Sequence, residues 1–377
     1  MSAHRLLRGM TWDHVRGYDP MIATAERFAE LHDGVRITWE KRSLQAFADR
    51  PLETMASDYD LMVIDHPHVG SAARNGLLAP FNSPGLAGAL AILADQSCGQ
   101  SYASYEYEGT QWALPIDAAA PVAVYRPDLL REVPATWSQV IELAEQSQVI
   151  WPLLPINALM SFFSMLANAG EPFGVSGRGV ADATGRRILM DMLAVAKHLP
   201  DECFSMDPIW ACEWLACRSS HSYIPYAYGY SNYSRNGFRP HLVRVADVPE
   251  LGVDGPAGAA IGGTGIAVSA ASEHKDVALE YALWIASAAC QTDTYFLSGG
   301  QPGNRLAWED GNCNAISNDF FQDTIRTQET SWLRPRHEGY MRFQDVAGEI
   351  VHACLTRTAA VPATIDALNQ AYERSFT

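Results

Sequence analysis

Gly262-Gly263-Thr264-Gly265-Ile266-Ala267-Val268-Ser269, followed by Glu273-His274-Lys275-Asp276-Val277-Ala278-Leu279-Glu280-Tyr281-Ala282-Leu283-Trp284-Ile285, is the stretch that decides the fold of this chain. A tight glycine turn opens into a short apolar run, and a polar cap then starts an amphipathic helix. Glycine has no Cβ, so the backbone here can come close against a neighbour or a ligand. In a phosphate-binding loop the glycines follow a strand and enter a helix N-terminus directly. These lead into a strand instead, which disfavours a phosphate cradle and predicts close approach to some other group.

Outward from this stretch, strand and helix patterns alternate, as in an α/β chain with mostly parallel sheets. Leu6 to Trp12 reads as the first strand. Asp19 reads as the N-cap of the following helix, with Pro20 at its first position. Val35, Ile37 and Trp39 alternate with Arg36, Thr38 and Glu40, the pattern of a half-buried strand. Tyr59 to Asp65 is an apolar run ending in a polar cluster, as a buried parallel strand would be. Ser219 to Pro256 reads as a long irregular stretch, and loops of that length are usually functional.

Several segments, in order, resemble those of family 1 extracellular solute-binding proteins, the maltose-binding type that serves ABC importers. Tyr59-Asp60-Leu61-Met62-Val63-Ile64-Asp65, with Ala73 and Gly76-Leu77-Leu78-Ala79-Pro80-Phe81, is similar to that family's buried strand and following helix. Leu114-Pro115-Ile116-Asp117 through Val122-Ala123-Val124-Tyr125-Arg126-Pro127-Asp128 resembles its first crossover, and Val133-Pro134-Ala135-Thr136-Trp137 its Pro-x-Thr-Trp helix entry. Ser298-Gly299-Gly300-Gln301-Pro302 resembles its Gly-Gly-x-Pro loop, and Pro362 to Phe376 its terminal helix. The resemblance implies a two-lobed periplasmic-binding-protein-like α/β fold of type II, with mixed sheets and hinge crossovers. It places 1–114 and 265–311 in an N-terminal lobe and 115–264 and 312–377 in a C-terminal lobe. The hinges then fall near 115–121, 262–266 and 310–316.

Size and composition agree with two cores, since 377 residues exceed one ordinary domain. With 48% hydrophobic and 19% charged residues the chain is well packed rather than disordered. A net charge of −16 argues against affinity for nucleic acid or an anionic membrane surface. No apolar run reaches the ~18 residues that would suggest membrane insertion. Met1-Ser2-Ala3-His4-Arg5 carries no signal-peptide h-region and no small-residue cleavage site. The seven cysteines, Cys98, Cys203, Cys212, Cys217, Cys290, Cys313 and Cys354, are scattered and odd in number, as reduced core thiols are. As the chain stands, these features place it in the cytoplasm; a trimmed start would place it in the periplasm.

Ligands in open α/β sheets sit beyond the carboxyl ends of the strands. That rule selects Trp12, Asp13, His14, Arg16 and Tyr18 after the first strand, and Asp65, His66 and His68 after the buried one. Asp117, Asn157, Gly263, Thr264 and the tyrosines at 223, 226, 228, 230 and 233 complete the set, all expected to face a cleft between the lobes. Aromatics among carboxylates and amides suit a carbohydrate, whose C–H faces stack on rings and whose hydroxyls need acceptors. Trp12 either stacks on such a ligand or packs into the core. Tyr226 and Tyr228, with Tyr230, alternate as on one face of a strand, where they are either stacking platforms or core. His14, His66 and His68 with Asp13 and Asp65 have acid–base composition. They lack the spacing of a metal motif, so no metal and no cofactor is assigned. Arg334-Pro335-Arg336-His337 with Tyr340 forms a basic island, read as a surface loop pairing with nearby acids or as an anion contact.

These residues imply a solute-binding protein that closes two lobes around a small polyhydroxylated ligand, a sugar or sugar acid, with an ABC permease as a further partner. The alternative is a cytoplasmic lyase, dehydratase or hydrolase on the same scaffold, using His14, Asp65, His66 or His68 for proton transfer. A cytoplasmic metabolite sensor is the third reading. No nucleophile motif settles the matter in favour of an enzyme.

Overall fold

The computed structural model describes residues 5–43, 52–175, 177, 179–252 and 255–377; Met1 to His4, on which the absence of a leader was read, lie outside them. The chain divides into two compact units, one made of Met1–Ala118 and Gly262–Cys313, the other of Ala119–Ile261 and Asn314–Thr377.

The first unit is built on a five-stranded sheet of β1 (Arg5–Trp12), β2 (Val35–Arg42), β3 (Leu61–Ile64), β6 (Leu114–Ala119) and β10 (Gly262–Val268). A separate hairpin joins β4 (Glu106–Tyr107) to β5 (Thr110–Gln111). The five strands run in the order β2-β1-β3-β10-β6. β1 pairs parallel to β2 from Arg5↔Val35 to Trp12↔Arg42, and parallel to β3 at Gly9↔Leu61. β10 enters antiparallel to β3, from Gly265↔Ile64 to Val268↔Leu61, so the sheet is mixed. The alternation read in β2 is present: Ile37 and Trp39 are buried between exposed neighbours. Trp39 lies directly over Gly9, where a Cβ would collide with its ring. All four residues of β3 are buried, because helices or loops cover both of its faces.

Helix α1 (Val15–Leu31) begins earlier than the sequence suggested. His14, in extended conformation, is the cap: its Nδ1 accepts the Arg16 N–H at 3.0 Å. Pro20 therefore lies inside the helix and not at its first position. Its carbonyl accepts the Thr24 hydroxyl at 2.7 Å, and that hydroxyl also meets the Tyr281 hydroxyl at 2.8 Å, tying α1 to the Lys275–Ala286 helix.

The second unit carries a three-stranded sheet of β7 (Pro121–Tyr125), β8 (Tyr223–Tyr228) and β9 (Arg244–Ala246), in the order β8-β7-β9. Both pairings are antiparallel, so the expectation of mostly parallel sheets fails here. The supposed irregular stretch from 219 to 256 contains β8, β9 and a 3₁₀ turn at Ser231–Ser234. Helices form the rest of this core. Pro155–Asn168 packs against Tyr340–Leu355 at Gly348, whose missing Cβ leaves room for the Pro155 carbonyl. The terminal helix, Val361–Arg374, adds Tyr372 to a cluster with Phe173 and Phe343. Burying side chains of this size stabilises by about 1.5–3 kcal/mol each.

Candidate functional site

In the first unit the end of β1 delivers its polar residues to different places. Trp12 belongs to the hydrophobic core, and its ring lies against the Gly17 backbone. The expectation of a stacking platform at Trp12 is thus corrected: the missing side chain of Gly17 gives the indole a flat surface on its own helix. Asp13 is exposed and pairs with Lys41 Nζ at 2.7 Å. His14 caps α1 as described. Tyr18 receives Lys41 over its ring at 4.8 Å from the centroid.

Arg16 and Asp117 meet each other. Both are buried, at 4% and 1% exposure, and the guanidinium forks onto the carboxylate through Nε–Oδ2 at 2.7 Å and Nη2–Oδ1. Burial pushes the Asp117 carboxyl above the ordinary aspartate range, and the Arg16 guanidinium opposes that rise. The two-point fork is the geometry of an ionised pair, and breaking such a buried pair typically costs about 3–5 kcal/mol. The surrounding backbone fixes Asp117. It bridges Pro302, the Gly303 N–H donates to the Ile116 carbonyl at 3.1 Å, and the Gln301 amide donates to the Ala118 carbonyl at 2.8 Å. The Gly-Gly-x-Pro loop thereby clamps β6.

The glycines of β10 approach protein groups. Gly263 has φ +91° and presses on the Asp117 carbonyl, and Gly265 lies against the Tyr105 ring. Tyr105 in turn donates to the Ile64 carbonyl at 3.2 Å and faces the Gly263 carbonyl at 3.4 Å. The glycines belong to the strand itself and not to a turn before it. Thr264 stands between them, half-buried, and its Oγ1 is buried without a hydrogen-bond partner among the described residues.

Asp65 caps the 3₁₀ turn His66–His68, its Oδ1 accepting the His66 N–H at 2.8 Å with His66 Nδ1 at 3.2 Å. His66 has no exposure and packs edge-on to Tyr105. As an accessible acid–base group it is corrected: the Asp-His pair is a hydrogen-bonded turn whose imidazole is core. His68 lies in the same turn, half-buried. Among the described residues no three His, Cys, Asp or Glu side chains gather as a metal site. Six of the seven cysteines are buried, and Cys217 is exposed.

In the second unit the tyrosines separate. The β7–β8 register slips by one residue, from Val122↔Ala227 to Val124↔Ile224. Pro225, which has no N–H for the ladder, lies at that slip. Tyr226 is buried among Trp137 and Trp151, with ring centroids 6.1 and 6.3 Å away, so its reading as a ligand platform is corrected to core. Tyr228 is half-buried and donates to the Ala260 carbonyl at 3.1 Å. Tyr223 is fully buried. Tyr230 falls beyond the strand and meets Tyr233 edge-on; Tyr233 donates to Glu213 at 2.8 Å. Asn157 lies in the first turn of the Pro155–Asn168 helix, 9% exposed, with Oδ1 buried and without a partner among the described residues. The basic island is built into the C-terminal packing. Arg334 donates to Gln344 at 2.9 Å, and His337 stacks on Phe376 and meets Ser375 Oγ at 2.8 Å.

Tyr105 and Tyr295 escaped the reading of the sequence. Tyr295 is buried beside the Arg16–Asp117 pair and lies under Gly300. Neither tyrosine has a local motif; their roles come from groups far away in the chain.

The family of bacterial extracellular solute-binding proteins matches residues 23–194. The maltose-bound MalE3 of T. maritima superposes with a TM-score of 0.84 at 18% identity, over 98% of this chain and 99% of that one. The chain has the solute-binding-protein fold. A solute-binding protein of Agrobacterium radiobacter in complex with ribitol follows at TM-score 0.80 and 19% identity, over 99% of both chains. One from Thermotoga lettingae bound with α-D-tagatose gives 0.82 at 15%, over 99% of this chain and 100% of that one. No relative among the curated proteins matches by sequence. The strand order β2-β1-β3-β10-β6, with its one returning antiparallel strand, is the first unit's version of the solute-binding fold. No helix among the described residues is long and apolar enough to cross a membrane.

Proposed function

We propose that this chain holds a small polyhydroxylated solute, a sugar or polyol, as the receptor of an ABC-type uptake system with a membrane permease as partner. The observation that carries this reading is the presence of two oxygens, Thr264 Oγ1 and Asn157 Oδ1, buried without a partner among the described residues, on a fold whose structural neighbours hold maltose, ribitol and tagatose. A buried polar atom without a partner costs about 1–3 kcal/mol. A ligand hydroxyl, both donor and acceptor, satisfies a threonine hydroxyl or an amide carbonyl equally well. The contacts we assign are Asp13, His14, Asp65 and Thr264 in the first unit and Asn157 and Tyr228 in the second. Arg16, Asp117 and Gly263 act on the ligand only by holding β10 and β6 in place. The family matched is extracellular, which favours the periplasmic branch of the localisation over the cytoplasmic one. The acid–base alternative loses support with His66 buried and with His14 and Asp65 acting as caps.

A thermal-shift and calorimetric screen with maltose, ribitol, α-D-tagatose and sugar acids tests the reading, followed by mass spectrometry of each recovered ligand. At one hundred times Kd a bound ligand adds about 2.7 kcal/mol to stability. A saturable shift with the ligand recovered unchanged supports a receptor. A chemically altered ligand, or no shift from any compound, overturns it.

A further inference from the structure

In the second unit, the neutral and charged forms of His221 make opposite demands on Trp214. The Trp214 indole, on the helix Pro208–Cys217, donates its Nε1–H to His221 Nδ1 at 3.1 Å. The Ser220 hydroxyl lies 2.8 Å from the same nitrogen. An indole N–H can only donate, so it fixes Nδ1 as an acceptor and leaves the imidazole proton on Nε2. Trp214 is 8% exposed, which leaves water little access to replace that bond.

A proton on Nδ1 turns the acceptor into a donor. The Ser220 hydroxyl can rotate and accept from it, whereas the indole cannot, and two N–H groups then point at each other. The new charge also meets Arg218, whose guanidinium already lies over the Trp214 ring, 3.7 Å from its centroid. The charged groups that face His221 are Arg218, on the same connection, and Glu202, from the 3₁₀ turn Asp201–Ser205. Burial first, and then Arg218, hold the imidazole below its ordinary 6.5, and Glu202 opposes them.

We propose that His221 and Trp214 form a proton-operated latch on the corner between the helix Pro208–Cys217 and β8. A neutral imidazole closes it; an imidazolium leaves the indole and swings towards water. Both ends of the corner are pinned independently. Arg126 Nη1, from a guanidinium forked onto Asp128, donates to the Arg218 carbonyl at 2.6 Å. The Ser222 N–H donates to the Gln148 carbonyl at 2.9 Å. Opening is therefore confined to residues 219–221, with the helix and β8 still formed. None of these residues is assigned to the polyol, so the two readings stand or fall separately.

NMR of the whole protein, isotopically labelled at its histidine and tryptophan ring nitrogens, tests this, with His221→Gln as the companion variant. The glutamine keeps an acceptor for the indole but takes up no proton. His221 is expected to carry its proton on Nε2 near neutral pH and to titrate below 6.5. One indole N–H signal is expected to shift with the same midpoint, its exchange with water rising at least about tenfold. In His221→Gln that titration is expected to vanish, with the urea midpoint at neutral pH close to the parent's. A proton on Nδ1 at neutral pH overturns the proposal. So does the absence of any indole signal that follows the His221 midpoint, or one whose titration survives in His221→Gln.

Discussion

Thr264 Oγ1 and Asn157 Oδ1 are buried without a hydrogen-bond partner among the described residues, as is Tyr223 Oη, whereas other polar residues near the strand ends are already paired. Asp13 has Lys41, Asp65 has the His66 N–H, and Arg16 has Asp117. A threonine hydroxyl that serves the protein should be missed when it is removed; one that serves a ligand should not. Thr264→Val keeps the shape and removes only the oxygen. We expect the ligand-free protein to hold its stability or gain up to about 1–2 kcal/mol, because a buried unsatisfied group is gone, while affinity for the polyol falls about tenfold. Urea denaturation and calorimetry on the same preparation check both halves. Unchanged affinity would remove Thr264 from the site. The sequence named Thr264 and Asn157 as ligand residues but had no means of ranking them above Trp12. Trp12 looked stronger, and the contact that removes it, the bare backbone of Gly17 under its ring, is a matter of packing.

Among the elements, β10 shows how a local motif acquires its meaning from outside. Gly263 presses on the Asp117 carbonyl in a left-handed conformation, and Gly265 presses on Tyr105. Gly263→Ala therefore meets both a backbone clash and φ +91°, and we expect it to cost about 2–4 kcal/mol in urea unfolding. Gly265→Ala meets only a ring, 2.7 Å from the added carbon. Its cost should largely vanish in a Tyr105→Ala background, whereas that of Gly263→Ala should persist. A double-mutant cycle separates the two. The glycine pattern was legible as close approach; its target was not, since Asp117 lies far back in the chain. β8 teaches the converse. The period-two tyrosines read as one face, yet the slip at Pro225 breaks the period and sends Tyr226 into the core.

At the scale of the molecule, two sets of groups make stability fall with acid. Burial holds the His337 imidazole below its ordinary value of 6.5, and burial followed by Arg218 does the same to His221. The unfolded chain then takes protons that the folded one refuses. Stability is full above about pH 6.5 and declines as pH falls towards the depressed values. Further down, the Arg239 hydrogen bond holds Glu213 below its ordinary 4.5, and that contribution is lost as pH falls through the lowered value. Urea midpoints should drop between about pH 7.5 and about pH 5.5, and His337→Gln should drop less. An equal drop would show that His337 is not one of the groups responsible.

What the sequence determined by itself is the class of the fold and the order of its parts. Periodicities of two and of about 3.6 and glycines before an apolar run act within a few residues, so they can be read without coordinates. Only the tertiary structure decided which polar residues are already satisfied. Arg16 and Asp117, 101 positions apart, look like two ligand contacts in the chain and prove to be a single buried ion pair. Hydrogen-bond satisfaction is settled by distant partners, and a binding site consists of the groups that those partners leave over.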